Sequence, residues 1–170
     1  RGNDTEAAYS LTAPKPGTAF SWTDTEAKAG FNAYRLVAAN DAGESLPAYA
    51  STFCGDDYPS EPTEVSVHTD VAGQPVIEWM SPQTGLNGLP LDSHKLTYMI
   101  QRDINGRSEI IAEGITGTSY TDTSLDLSRQ MYPYYYVIAV SPAGEGRVSL
   151  PAGTYTGPAY KLPFSENFAE

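Results

Sequence analysis

Two stretches of this chain, residues 31–45 and 132–146, share one pattern: an aromatic residue, alternating apolar residues, and then Ala-Gly-Glu. A shorter phrase precedes each of them, Trp-Thr-Asp-Thr at residues 22–25 and Tyr-Thr-Asp-Thr at residues 120–123. An internal repeat of this kind indicates one structural unit that occurs twice. The repeat constrains the fold more than the length of 170 residues, which fits one large domain or a small domain with part of another.

The second half of the chain carries a complete series of strand signals. Residues 75–80 alternate, so Ile77 and Trp79 share one face while Val76 and Glu78 share the other. The dipeptide at residues 105–106, Asn-Gly, is the strongest short signal for a β-hairpin. The predicted strands are residues 61–68, 75–80, 96–102, 109–113, 119–121, 132–141, and 147–150 with 154–155. Seven short strands without a helix are typical of a two-sheet antiparallel sandwich.

The long strand of this series is rich in tyrosine. A period of two assigns Tyr135, Val137 and Ala139 to the core face. The other face then presents three tyrosines and an isoleucine, namely Tyr132, Tyr134, Tyr136 and Ile138. Exposed tyrosines in a row can bind carbohydrate or protein; the alternative is that neighbouring strands and the linker cover them.

The order of these motifs resembles the fibronectin type III family. The resemblance rests on strand 75–80 with Pro82 after it, on residues 98–102 (Tyr-Met-Ile-Gln-Arg), and on the strand with Tyr135, Val137 and Ala139 that leads into Ala-Gly-Glu. The loop at residues 85–88 (Gly-Leu-Asn-Gly) is similar to that of secreted bacterial members. The resemblance implies an all-β chain of tandem immunoglobulin-like antiparallel β-sandwiches.

The repeat places the domain boundaries. Residues 1–57 match the C-terminal part of a first fibronectin type III-like module, with no counterpart of the first strands or of Trp79. Residues 58–62 are predicted to be a linker, 63–158 a complete module, and 159–170 a linker or the start of a following domain. In that last segment residues 162–168 resemble the opening of cleaved-adhesin or MAM-like jelly-roll domains, the alternative being a disordered tail.

The incomplete first module has a physical consequence. Tyr34, Leu36 and Ala38 should face a sheet that is largely missing from residues 1–57. Because each large apolar side chain left uncovered forgoes about 1.5–3 kcal/mol, this half would be unstable alone. We therefore expect that the natural protein is longer or that another chain supplies the missing strands.

Charge and cysteine content limit the partners. The net charge of −11 is spread along the chain, with no Lys or Arg cluster of the kind that binds nucleic acid. An anionic membrane surface would repel it, and no apolar run is long enough for insertion. The single cysteine, Cys54, predicts no disulfide within the chain and lies at a predicted strand end as a small apolar residue.

The sequence predicts no catalytic, cofactor-binding or metal-binding residue and no cofactor. His68 and His94 lie apart, without ligands at metal spacing. Four acidic residues lie near the junction of the modules, namely Asp56, Asp57, Glu61 and Glu64. We interpret them as a solvated linker; the alternative is that this oxygen-rich junction binds Ca²⁺. Residues 1–4 (Arg-Gly-Asn-Asp) and 105–107 (Asn-Gly-Arg) only approach an integrin-binding tripeptide, and hairpin geometry explains the second.

These observations predict a non-catalytic spacer or interaction module of a larger secreted or cell-surface bacterial protein. Its partners would be neighbouring domains of the parent protein and a host protein or glycan. The alternatives are an adhesion module that binds protein or glycan, and an accessory module of a secreted hydrolase. Fold alone does not choose among them.

Overall fold

The computed structural model describes residues 21–159. The chain divides into two compact units, Arg1–Gly55 and Asp56–Glu170. Within the described residues both units are built from β-strands, and the helical element is one 3-10 turn at Ser93–Lys95. The all-β prediction is confirmed. The predictions for residues 1–4 and 162–168 lie outside the described residues.

The described part of the first unit is an antiparallel hairpin. Strand β1 (Gly30–Leu36) pairs with β4 (Ala48–Cys54), and the short strands β2 (Ala39–Asn40) and β3 (Gly43–Glu44) pair at its tip. Tyr34 is half-buried, packs edge-on against Trp22 and donates a hydrogen bond to Asp24 (3.1 Å). Leu36 is 73 % exposed and Ala38 is also exposed. The side chains expected to lack a covering sheet are thus largely uncovered.

The second unit has two sheets that face each other. One contains β5 (Thr63–Thr69), β6 (Pro75–Met80) and β9 (Ser119–Thr121), paired in that order. The other contains β7 (Thr97–Ile104), β8 (Arg107–Ile115), β10 (Tyr134–Ser141), β11 (Gly144–Val148) and β12 (Ala152–Gly153). Its strand order is β11-β10-β7-β8, and β12 also pairs with β10. Every strand pair is antiparallel.

The core between the sheets consists of side chains that the period-two pattern places inward. Ile77 and Trp79 come from β6, and Tyr135, Val137 and Ala139 come from β10. Leu96, Tyr98 and Ile100 complete the buried cluster from the β7 side. The predicted core face of the long strand is confirmed. The prediction that Ile77 and Trp79 share one face of β6 is also confirmed, and the structure shows that this face points into the core.

The two copies of the repeat make the same turn. Gly43 and Gly144 both have strongly positive φ values (131° and 128°), which glycine adopts without steric cost. Each pairs with the residue three positions before it, Asn40 or Ser141, whose side chain accepts a hydrogen bond from the intervening N–H. The repeated phrase therefore encodes one local structure in both units.

A second repeated motif follows each turn and was missed in the sequence. Ser-Leu-Pro-Ala occurs at residues 45–48 and again at 149–152. The serine exchanges backbone and side-chain hydrogen bonds with Ala38, just before β2, in the first copy and with Val137 of β10 in the second, and in both it donates its hydroxyl proton to the next carbonyl. In each copy a strand ends just before the motif and the next strand begins at the alanine of the motif, because the proline has no N–H to donate to a sheet.

The prediction of the last strand is corrected. Residues 147–150 with 154–155 were predicted as the last strand, but β11 ends at Val148, and Thr154 and Tyr155 lie outside the strands. The proline of the second Ser-Leu-Pro-Ala motif explains the break. Residues 58–62, predicted as a linker, pack onto the second unit, with Pro59 and Pro62 fully buried.

We expect Ile100→Ala to lower the free energy of unfolding of the second unit by about 2–5 kcal/mol, because the fully buried side chain would leave a cavity. Val71→Ala, at a fully exposed position between β5 and β6, should change it by less than about 0.5 kcal/mol. Urea denaturation of both variants measures the difference. Equal effects would contradict the core described above.

Candidate functional site

Three tyrosines come together on the outer face of the larger sheet. Tyr132 contacts Tyr134 edge-on with ring centroids 5.1 Å apart, and contacts Tyr155 in the same manner at 4.8 Å. Tyr132, Tyr134 and Tyr155 are 39, 46 and 70 % exposed. The Tyr132 hydroxyl donates to the Gly153 carbonyl oxygen (3.1 Å), which fixes the orientation of the central ring.

A polar wall from the β7–β8 hairpin borders these rings. Asp103 lies directly opposite Tyr134 in the register of β7 and β10. Its two carboxylate oxygens accept hydrogen bonds from the Gly106 N–H (3.0 Å) and the Ser108 hydroxyl (2.7 Å). The rings and this wall form an open groove, called here the tyrosine groove, which is lined by Asp103, Asn105, Gly106, Tyr132, Tyr134 and Tyr155.

The turn that supplies this wall is the predicted Asn-Gly hairpin. Asn105 and Gly106 have φ values of 54° and 78°, as a type I′ turn requires. The prediction that hairpin geometry explains this dipeptide is thus supported.

The predicted pattern of alternating tyrosines only partly describes the site. Tyr132 and Tyr134 lie in the groove, whereas Tyr136 is half-buried and does not line it. Tyr155 joins them because the chain after β12 returns beside the start of β10, where β12 pairs with Tyr134 and Tyr135. This long-range neighbour leaves no local signal in the sequence.

A buried charge network lies beneath the groove. Asp122, with no exposed surface, follows β9 and accepts hydrogen bonds from Arg102 Nη1 of β7 (2.7 Å) and from the Tyr135 hydroxyl of β10 (2.9 Å). Ser124 adds its N–H (3.0 Å) and hydroxyl (2.7 Å) to the other carboxylate oxygen. Arg102 also donates to Glu109. One carboxylate thus joins both sheets.

The network holds its members in defined protonation states. Burial acts to raise the pKa of Asp122, but the hydrogen bonds from Ser124, Arg102 and Tyr135 together hold that pKa below its ordinary value. Burial and the neighbouring Asp122 raise the pKa of Tyr135 far above its ordinary value. The aspartate therefore stays charged and the tyrosine stays a proton donor.

The predicted acidic junction does not form one cluster. Asp57 is buried, and its carboxylate accepts hydrogen bonds from the Asn87 N–H (2.9 Å), the Asn87 side-chain amide (2.7 Å) and the Leu89 N–H (3.3 Å). Asp56, Glu61 and Glu64 are exposed. Within residues 21–159, no group of three or more His, Cys, Asp or Glu side chains is arranged to hold a metal ion. Asp57 anchors a loop instead.

The remaining candidate residues lie apart. His68 is exposed and 3.8 Å from the exposed Glu78, and His94 lies in the 3-10 turn. Cys54 is the last residue of β4, as predicted, and is a half-buried free thiol. No helix among the described residues is long and apolar enough to cross a membrane.

Solved structures with similar folds are numerous. An Fn3-like protein from Clostridium thermocellum is 27 % identical over 62 % of this chain and 99 % of its own, with a TM-score of 0.46. The sixth fibronectin type III domain of human fibronectin type III domain containing protein 3 is 24 % identical over 66 % of this chain and 98 % of its own, with a TM-score of 0.47. Titin domains A168-A170 are 22 % identical over 76 % of this chain and 41 % of that chain, with a TM-score of 0.50.

No family model matches the chain, and no curated protein matches its sequence. The likeness is one of fold. The second unit is a two-sheet antiparallel β-sandwich, with three strands in one sheet facing the larger sheet, and it is similar in fold to the fibronectin type III domains named above.

We expect the network to make stability depend on acid pH. Because the pKa of Asp122 is lower in the folded state, its contribution is fully present above about pH 4 and is lost as the pH falls through the folded value. Asp122→Asn should cost about 3–5 kcal/mol at neutral pH and flatten this acid dependence. Urea unfolding between pH 7 and pH 2 measures both effects.

The matched control is Glu113→Gln, an exposed carboxylate on β8, which should leave the acid dependence almost unchanged. An Asp122→Asn variant with the slope of the parent protein would show that Asp122 does not carry this term.

Proposed function

We propose that the chain is a non-catalytic spacer and interaction module of a larger secreted or cell-surface bacterial protein. The observation that carries this proposal is the fixation of residues 57–62, called here the leading segment, onto the second unit. A spacer must hold the chain that leads into it, because a free hinge there would leave the position of the module undefined.

Backbone contacts fix the leading segment along its length. The Tyr58 carbonyl accepts from the Leu86 N–H (2.8 Å), and the Pro59 carbonyl accepts from the Arg147 N–H (3.1 Å). The Ser60 N–H and hydroxyl both donate to the Thr84 carbonyl (3.2 and 2.7 Å). The segment is therefore attached both to the loop after β6 and to β11.

Asp57 provides the first anchor of this segment. Its carbonyl oxygen accepts from the Ser141 hydroxyl at the end of β10 (2.7 Å) while its carboxylate holds Asn87 and Leu89. Gly85 lies so close to that carboxylate that a β-carbon there would be 2.3 Å from the Asp57 carboxyl carbon. The loop at residues 85–88 thus has a mechanical role, since it receives the leading segment.

Two arguments support the non-catalytic and secreted parts of the proposal. The buried ionisable side chains Asp57, Arg102 and Asp122 are all engaged in hydrogen bonds that join parts of the fold, so they serve structure. The secreted bacterial context rests on the resemblance of the loop at residues 85–88. The accessory module of a hydrolase is the second candidate for this context, and a catalytic domain elsewhere in the parent protein would favour it.

The spacer role is tested by pulling the full chain from its ends in a single-molecule force experiment. We expect one force peak for the second unit and a lower peak force in Asp57→Ala. The loss of three hydrogen bonds to a buried carboxylate should also lower the free energy of unfolding by about 3 kcal/mol.

Asp56→Ala is the matched control, since this neighbouring aspartate is exposed. Extension without a force peak for the second unit would overturn the spacer proposal. An Asp57→Ala peak equal to those of the parent chain and of the control would show that the leading segment bears no load.

A further inference from the structure

The tyrosine groove is more exposed than folding of the sandwich requires. Tyr155 is 70 % exposed, and it lies outside the strands and outside the buried cluster. Single exposed apolar side chains are common on protein surfaces, but three aromatic rings joined through Tyr132 form a patch of the kind that binds a partner. Folding of the sandwich therefore does not explain why these rings lie exposed together, whereas binding of a ligand would explain it.

Polar groups in the groove are free to bind. Among the described residues, the Asn105 side-chain amide and the hydroxyls of Tyr134 and Tyr155 have no hydrogen-bond partner. The amide provides donors and an acceptor, each hydroxyl provides both, and Asp103 provides further acceptor capacity. The groove thus combines flat apolar rings with mixed donors and acceptors.

Part of the groove is fixed in advance of binding. The register of β7 and β10 places Tyr134 beside Asp103, and the neighbouring pair Tyr135 and Arg102 is buried in the charge network. The hydroxyl of Tyr132 and both oxygens of Asp103 are held by backbone or serine partners. A ligand would therefore lose little affinity to the ordering of these side chains.

We propose that the tyrosine groove binds a neutral glycan. One face of a pyranose ring carries C–H groups that pack on an aromatic ring, while its edge carries hydroxyls that both donate and accept hydrogen bonds. Tyr155 and Tyr134 would supply the stacking faces, and Asn105 and Asp103 would bind the hydroxyls. The groove is open to solvent, so a segment of an oligosaccharide chain could enter it.

Charge and ring geometry favour a neutral ligand over the charged alternatives. An anionic glycan would meet the Asp103 carboxylate in a chain of net charge −11, and the nearby Arg107 lines a separate groove together with Glu109. A cation held by an aromatic cage would need space between the rings. Here Tyr132 fills the space between Tyr134 and Tyr155, because it contacts both edge-on.

The proposal adds a ligand to the module and does not depend on the spacer role. The full chain is titrated with neutral linear oligosaccharides, namely β-linked glucose, xylose, mannose and N-acetylglucosamine oligomers and an α-linked glucose oligomer. Heparin, a trimethylammonium salt and a proline-rich peptide are titrated in parallel. NMR chemical-shift changes identify both the ligand and the residues that it touches.

We expect saturable binding of at least one neutral oligosaccharide, with shifts concentrated at residues 103–106 and at Tyr134 and Tyr155. Tyr155→Ala should weaken this binding by about tenfold or more, since it removes the most exposed stacking face. Asn105→Gly should weaken it by a smaller factor, because glycine retains the positive φ of the turn while the amide is lost.

The matched control is Tyr58→Ala, an exposed tyrosine near the other end of β10, which should bind as the parent chain does. Thermal unfolding of each variant confirms that it is folded. The proposal is overturned if no neutral oligosaccharide binds, if binding shifts residues away from the groove, or if only the peptide, the trimethylammonium salt or heparin binds.

Discussion

The buried carboxylate of Asp122 is the interaction on which the second unit depends. It lies just after β9 of one sheet and binds Arg102 and Tyr135 of the other, so a single charged group connects both layers. An unpaired carboxylate in this position would be strongly unfavourable. The hydrogen bonds from arginine, tyrosine and serine satisfy the carboxylate. Because hydrophobic packing in the core is non-directional, these directional bonds fix the position of one sheet relative to the other.

The same connection determines what lies on the outer surface. Arg102 and Tyr135 are direct partners across β7 and β10, and the next pair in the register is Asp103 and Tyr134. Because successive side chains point to opposite faces, fixing the inner pair fixes the outer pair. The charge network therefore positions one wall and one ring of the tyrosine groove, while the Asp57 anchor stabilises the opposite end of β10. The residues that stabilise the sandwich, Arg102 and Tyr135, are thus direct sequence neighbours of Asp103 and Tyr134, which line the proposed binding groove.

Local patterns in the sequence predicted most strands of the second unit and part of its core. The period of two predicted the core face of β10 and the shared face of Ile77 and Trp79 on β6, and the Asn-Gly dipeptide predicted the β7–β8 turn. Interactions between distant residues were not predictable in this way. Tyr155 reaches Tyr132 across a strand break, and Asp57 is buried by a loop 30 residues further along the chain. The environments of Tyr155 and Asp57 depend on packing against residues far away in the sequence. The residues adjacent to them in the chain therefore did not indicate these environments.

The Asp122 network holds the end of the sandwich that carries the groove. Residue-resolved amide hydrogen exchange of Asp122→Asn, compared with the parent chain, is the sharpest test of this role. Residues 101–104 and 134–136 should lose protection more than residues 138–141 at the other end of β10, because local opening begins where the hydrogen bonds to the carboxylate are lost. Uniform loss of protection along β10, or unchanged protection throughout, would contradict this role of Asp122.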